Sequence, residues 1–132
     1  MKICGIELKA NNTIFSVIED NEYIDTKVKK ITLNDDEKQE DIREYCNQLL
    51  VFLETEQIEK VVIKKRAKKG NFAGGPVTFK MEALIQLNPK CVVELVSPQS
   101  ISAYEKKNII DIPNGLKKYQ EQAYLTALCK ND

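Results

Sequence analysis

Lys2-Ile3-Cys4-Gly5-Ile6-Glu7-Leu8, followed closely by Thr13-Ile14-Phe15-Ser16-Val17-Ile18-Glu19, decides how this chain is read. Both runs are short, β-branched and apolar, and Ala10-Asn11-Asn12 between them suits a hairpin turn. A lone carboxylate, Glu7, interrupts the first run. A charge inside an otherwise buried strand costs several kcal/mol unless something compensates it, so a site, a metal or an ion pair is expected beside it.

Working outward, Tyr23 to Leu33 reads as a third extended run, wet on one face, which completes an antiparallel meander. Asn34 offers an N-cap, with Asp35, Asp36 and Glu37 in the first turn. Ile42, Tyr45, Cys46, Leu49, Leu50 and Leu53 recur at helical spacing, so a helix is expected over roughly 35–57. Lys60 to Lys65 is a short apolar strand followed by a basic, glycine-rich loop, Arg66 to Gly75. Further elements follow in alternation: a helix from about Val77 to Leu87, a strand from Cys91 to Val96, a helix opened by Ser97-Pro98 and running to about Lys107, and a terminal helix from Leu116 to Lys130. The order βββ, α, β, α, β, α, α predicts an α/β fold, a mixed sheet flanked by helices, in a single domain spanning residues 1–132.

Lys plus Arg and Asp plus Glu number 20 each, so only local charge can point to a partner. Histidine is absent, which excludes Ser-His and Cys-His nucleophiles, histidine bases and most zinc sites. Cys4, Cys46, Cys91 and Cys129 are widely spaced among apolar neighbours and read as buried thiols. No membrane segment or cleavable leader is legible at the N-terminus, so a cytoplasmic location is expected.

Three segments carry a resemblance to the ribonuclease H-like superfamily and its RuvC-type resolvase branch: Ile3-Cys4-Gly5-Ile6-Glu7, Val61-Val62-Ile63 with the loop and helix after it, and Leu95-Val96-Ser97-Pro98-Gln99-Ser100-Ile101. At closer range the chain resembles a bacterial family of unknown function, domain of unknown function 3010. Cys4-Gly5-Ile6-Glu7-Leu8-Lys9, Gly70-Asn71-Phe72-Ala73-Gly74-Gly75, Phe79-Lys80-Met81-Glu82-Ala83 and Leu116-Lys117-Lys118-Tyr119-Gln120-Glu121-Gln122-Ala123 carry that likeness.

The resemblance implies a ribonuclease H-like sheet and, in an active member, two divalent metals held by carboxylates from the first strand, the end of the fourth strand and a C-terminal helix. Glu7 fills the first place and is the one residue expected as a metal ligand. Lys64 and Lys65 stand where a resolvase has a glutamate, and close relatives usually place an acid at the position of Lys65. A protonated lysine repels a cation at a few ångströms. Glu82 and Glu121 could supply further carboxylates, which gives Glu7, Glu82 and Glu121 as the catalytic set of an active nuclease using Mg²⁺ or Mn²⁺; no other cofactor is implied. An ion pair between Glu7 and Lys64 or Lys65 is the plainer expectation.

Lys64, Lys65, Arg66, Lys68 and Lys69, with Lys60 upstream, put six positive charges within ten residues, and the glycines after them leave backbone amides open to phosphate. Phe72 could stack on an unpaired base. The expected function is therefore nucleic-acid binding by a ribonuclease H-like protein with a degenerate metal site. A metal-dependent nuclease or resolvase and a protein-interaction module are the alternatives. No membrane partner is expected, and oligomeric state is left open.

Overall fold

The computed structural model describes residues 1–71 and 73–131. One six-stranded mixed sheet organises it, with the order β3-β2-β1-β5-β6 and β4 also pairing β2. The strands are β1 (Lys2–Lys9), β2 (Asn12–Glu19), β3 (Glu22–Ile24), β4 (Lys30–Thr32), β5 (Lys60–Lys64) and β6 (Val92–Val96). The helices are α1 (Gln39–Thr55), α2 (Pro76–Gln86), α3 (Pro98–Lys107) and α4 (Glu121–Cys129), the last led in by a 3₁₀ turn at Lys118–Gln120.

β1 pairs antiparallel with β2 over its whole length, Lys9 opposite Asn12, around the two-residue turn Ala10-Asn11. On its other side β1 runs parallel to β5, and β5 runs parallel to β6. The expected third strand is two strands instead. β3 pairs the end of β2 and β4 its start, while the five residues 25–29 bulge out opposite Phe15 and Ser16. Among the described residues, Phe15 N–H to Lys29 O (2.8 Å) is the backbone bond that bridges the bulge. The Lys29–Asp25 ion pair (3.0 Å) and the Thr26 hydroxyl on Val28 O (2.7 Å) satisfy it internally.

Alternation along β1 sorts the two cores. Cys4, Ile6 and Leu8 face α1 and α2, packing with Phe15, Tyr45, Leu49, Leu53, Val61, Ile63, Met81 and Ile85. Ile3 faces the other way with Val62, Val96, Ile101, Tyr124 and Leu128, beneath α3 and α4. Gly5 belongs to this second face and lets α4 sit against the sheet: a Cβ there would fall 2.0 Å from Ala123 O and 2.9 Å from Ala127 Cβ.

Helix α1 starts later than the Asn34 cap predicts. The Asp35 carboxylate turns back to accept the Glu37 N–H (3.0 Å), and Lys80 of α2 takes both the carboxylate (3.1 Å) and the carbonyl (2.6 Å) of Asp36. Those bonds hold 35–37 as a turn, so the first helical residue is Gln39. At α3 the expected cap is present, Ser97 Oγ accepting the Ser100 N–H (3.1 Å) with Pro98 at the first position. Among the thiols, Cys4 is fully buried, and desolvation pushes it well above its ordinary pKa. Cys46 and Cys91 are only half-buried, and Cys91 stands one residue before β6.

Candidate functional site

β1, β5 and β6 run parallel, so their carboxyl ends lie along one edge of the sheet, where open α/β folds collect their ligand-binding side chains. Glu7 stands there at the end of β1. Gly5, two residues earlier, faces α4, so by alternation the half-buried Glu7 side chain is on the α4 face as well. The β1–β5 register pairs Ile6 with Ile63, and its next step sets Glu7 beside Lys64.

Lys64 is also on that face, because its ammonium donates to Gln122 Oε1 in the first turn of α4 (2.8 Å). The ion pair expected between Glu7 and Lys64 or Lys65 does not form: among the described residues Glu7 has no cationic partner, and a neutral carboxamide holds the lysine instead. Lys65 follows the strand, is exposed, and ties its N–H to Val96 O (2.8 Å).

Gln122 is the residue that sequence reasoning missed. Glu121, its half-buried neighbour, drew attention because it is charged, yet adjacent helical positions point about 100° apart and the one that meets Lys64 is the amide. Glu82 lies apart from both. Its helix, α2, packs through Met81 and Ile85 on the face lined by Cys4, Ile6 and Leu8, so the sheet separates that helix from the side of Glu7. Among the described residues no three His, Cys, Asp or Glu side chains converge on a place that could hold a metal ion.

The basic loop closes on itself. Ala67 pairs with Ala73, Gly74 N–H reaches Ala67 O (2.8 Å), and the tip turns at Gly70, whose φ of 99° favours glycine. Across from it lies the start of α3, and between them runs an open groove of about 440 Å³ walled by Lys65, Arg66, Lys68, Lys69, Ser97 and Gln99, with no carboxylate on its lining among the described residues. Arg66 is half-buried. Its stem lies on Gly74, where a Cβ would come within 2.7 Å of Arg66 Cβ, and its Nε is shut from water without an acceptor among the described residues. At α3, Pro98 has no N–H, Ser100 is capped and Ile101 bonds Ser97 O, while the Gln99 N–H has no acceptor among the described residues.

Lys60 does not belong to this basic cluster. It sits at the opposite end of β5, where it pairs with Glu94 (2.9 Å), as Lys130 also does (3.3 Å). The Lys60 ammonium above all, then that of Lys130, holds the Glu94 carboxyl below the usual glutamate range. Phe72, the expected stacking residue, lies outside the described residues.

The family described as "Protein of unknown function (DUF3010)" matches residues 1–130. The chain belongs to that family. No curated protein matches it. Among solved structures, this DUF3010 member is similar to RuvC of Thermus thermophilus, with TM-score 0.71 and 10% identity over 98% of this chain and 92% of that one. It is likewise similar to T. thermophilus RuvC in complex with a Holliday junction substrate, with TM-score 0.69 and 14% identity over 98% of this chain and 91% of that one. The fold is ribonuclease H-like, of the RuvC type. No helix among the described residues is long and apolar enough to cross a membrane.

Proposed function

We propose that this protein binds nucleic acid through its phosphate backbone and does so with a metal site too depleted for efficient phosphodiester cleavage. The groove between the basic loop and the start of α3 carries the reading. Four cations without a carboxylate among them line a furrow about 440 Å³ in volume at the ligand-binding edge of the sheet. The exposed ammonium groups of Lys65, Lys68 and Lys69 and an open helical N–H there suit a phosphate oxygen, which accepts from both. A neighbour of the same fold is known with a Holliday junction substrate, which makes branched DNA a natural first probe.

Magnesium requires several hard oxygen ligands, and Glu7 meets an ammonium and an already engaged carboxamide where further carboxylates would be needed. Fluorescence anisotropy with labelled single strands, duplexes and four-way junctions at low salt tests the reading, alongside a cleavage assay in Mg²⁺ and Mn²⁺. Binding without turnover is expected. Metal-dependent cutting abolished by Glu7→Gln overturns it in favour of a nuclease, and failure to bind any of the three leaves the groove to an acidic protein partner.

A further inference from the structure

The mismatch between Glu7 and its surroundings has a use. Two half-buried opposite charges stand on adjacent strands without an ion-pair partner among the described residues, and the positive one is aimed by Gln122 rather than neutralised. A carboxamide oxygen accepts one of the three ammonium protons and leaves the charge intact. Lys64 is also one residue from Lys65, where the cationic groove begins.

We infer that Lys64 supplies the cation at this edge of the sheet: held by Gln122, it contacts a backbone phosphate directly, so the protein grips nucleic acid without a divalent ion. This rests on the nucleic-acid reading above and adds the residue and the ion independence to it. The donor set argues the same way. A hard dication arriving at Glu7 meets fewer than three carboxylates among the described residues, a fixed ammonium in the next strand and an amide oxygen already spent on that ammonium. A phosphate diester arriving at Lys64 meets two ammonium protons without an acceptor among the described residues and continues onto Lys65 and Arg66. Gln122 is then a positioning residue.

The test measures affinity by anisotropy, using whichever labelled oligonucleotide the wild-type protein binds, in Mg²⁺ and in EDTA at equal ionic strength. Wild type, Lys64→Gln and Gln122→Ala are compared, each checked for folding by circular dichroism. The inference expects equal wild-type affinity in the two buffers. Lys64→Gln should bind about tenfold more weakly, with the log–log salt slope smaller by about 0.7 to 0.9, the value of one phosphate contact. Gln122→Ala should weaken binding while leaving the salt slope near that of wild type, since the charge remains and only its aim is lost. Binding that collapses in EDTA and returns with Mg²⁺ overturns the inference and leaves the nucleic-acid reading standing, as does Lys64→Gln with unchanged affinity and slope. No binding in either buffer overturns the nucleic-acid reading itself, and Lys64's phosphate with it. Electron paramagnetic resonance of Mn²⁺ with the free protein gives an answer apart from nucleic acid: a bound ion lost in Glu7→Gln overturns the metal-free site.

Discussion

A methyl group on Gly5 has nowhere to go. Its Cβ would overlap Ala123 O at 2.0 Å and Ala127 N at 2.7 Å, both backbone atoms of α4, so relief requires the helix to lift from the sheet. Gly5→Ala is therefore expected to destabilise the protein by about 3 kcal/mol or more, at the upper end of overpacking costs, read by urea denaturation. An unchanged midpoint would mean that α4 is not seated against β1. Glu7 gives the opposite expectation. With no cation paired to it among the described residues, Glu7→Gln removes no buried salt bridge and should shift stability by less than about 1 kcal/mol. A loss of several kcal/mol would show that Glu7 and Lys64 are paired in solution. The sequence made both charges visible but left their partners open, because the competing acceptor, Gln122, carries no charge to draw the eye.

At the scale of elements, the order of strands and helices was legible in hydrophobic period and in turn chemistry, and the Ser97-Pro98 start of α3 was legible to the residue. The misreadings have identifiable causes, one local and one long-range. Residues 23–33 alternate like one strand, yet the bulge at 25–29 is stabilised by side chains bonding their own loop, a competition that alternation does not record. The start of α1 depends on Lys80, which is 44 residues away from Asp36. The far end of α4 is tied to the sheet by another long-range set, Lys60–Glu94–Lys130. Because those ammonium groups depress the folded-state pKa of Glu94, their contribution is present above the ordinary glutamate value of about 4.3 and is lost as pH falls through the lower folded value. The stability gap between wild type and Glu94→Gln should be open at neutral pH and close below pH of about 4. A gap of constant size across that range would mean that the carboxylate is not clamped in the native state.

For the molecule as a whole, equal numbers of acids and bases give no net attraction to a polyanion, so binding has to come from where the charges lie. The cations Lys65, Arg66, Lys68 and Lys69 gather along one groove at the carboxyl edge of the sheet. The sequence exposed the charge cluster; that Ser97 and Gln99 form its opposite wall follows only from β5 and β6 being neighbours, which no local pattern states. If this groove holds backbone phosphates, affinity must fall linearly in a log–log plot against salt, by about 0.9 per phosphate on duplex and about 0.7 on single strands. Neutralising Lys65 and Lys68 together, both exposed and free of structural bonds to other side chains among the described residues, should flatten the duplex slope by about 2 without changing the melting temperature. Relative preference among oligonucleotide sequences should remain as in wild type, since phosphate contacts fix the position of the protein and read no bases. A double variant that keeps the wild-type slope would place the contact surface elsewhere, and one that changes sequence preference would mean that these lysines reach base edges.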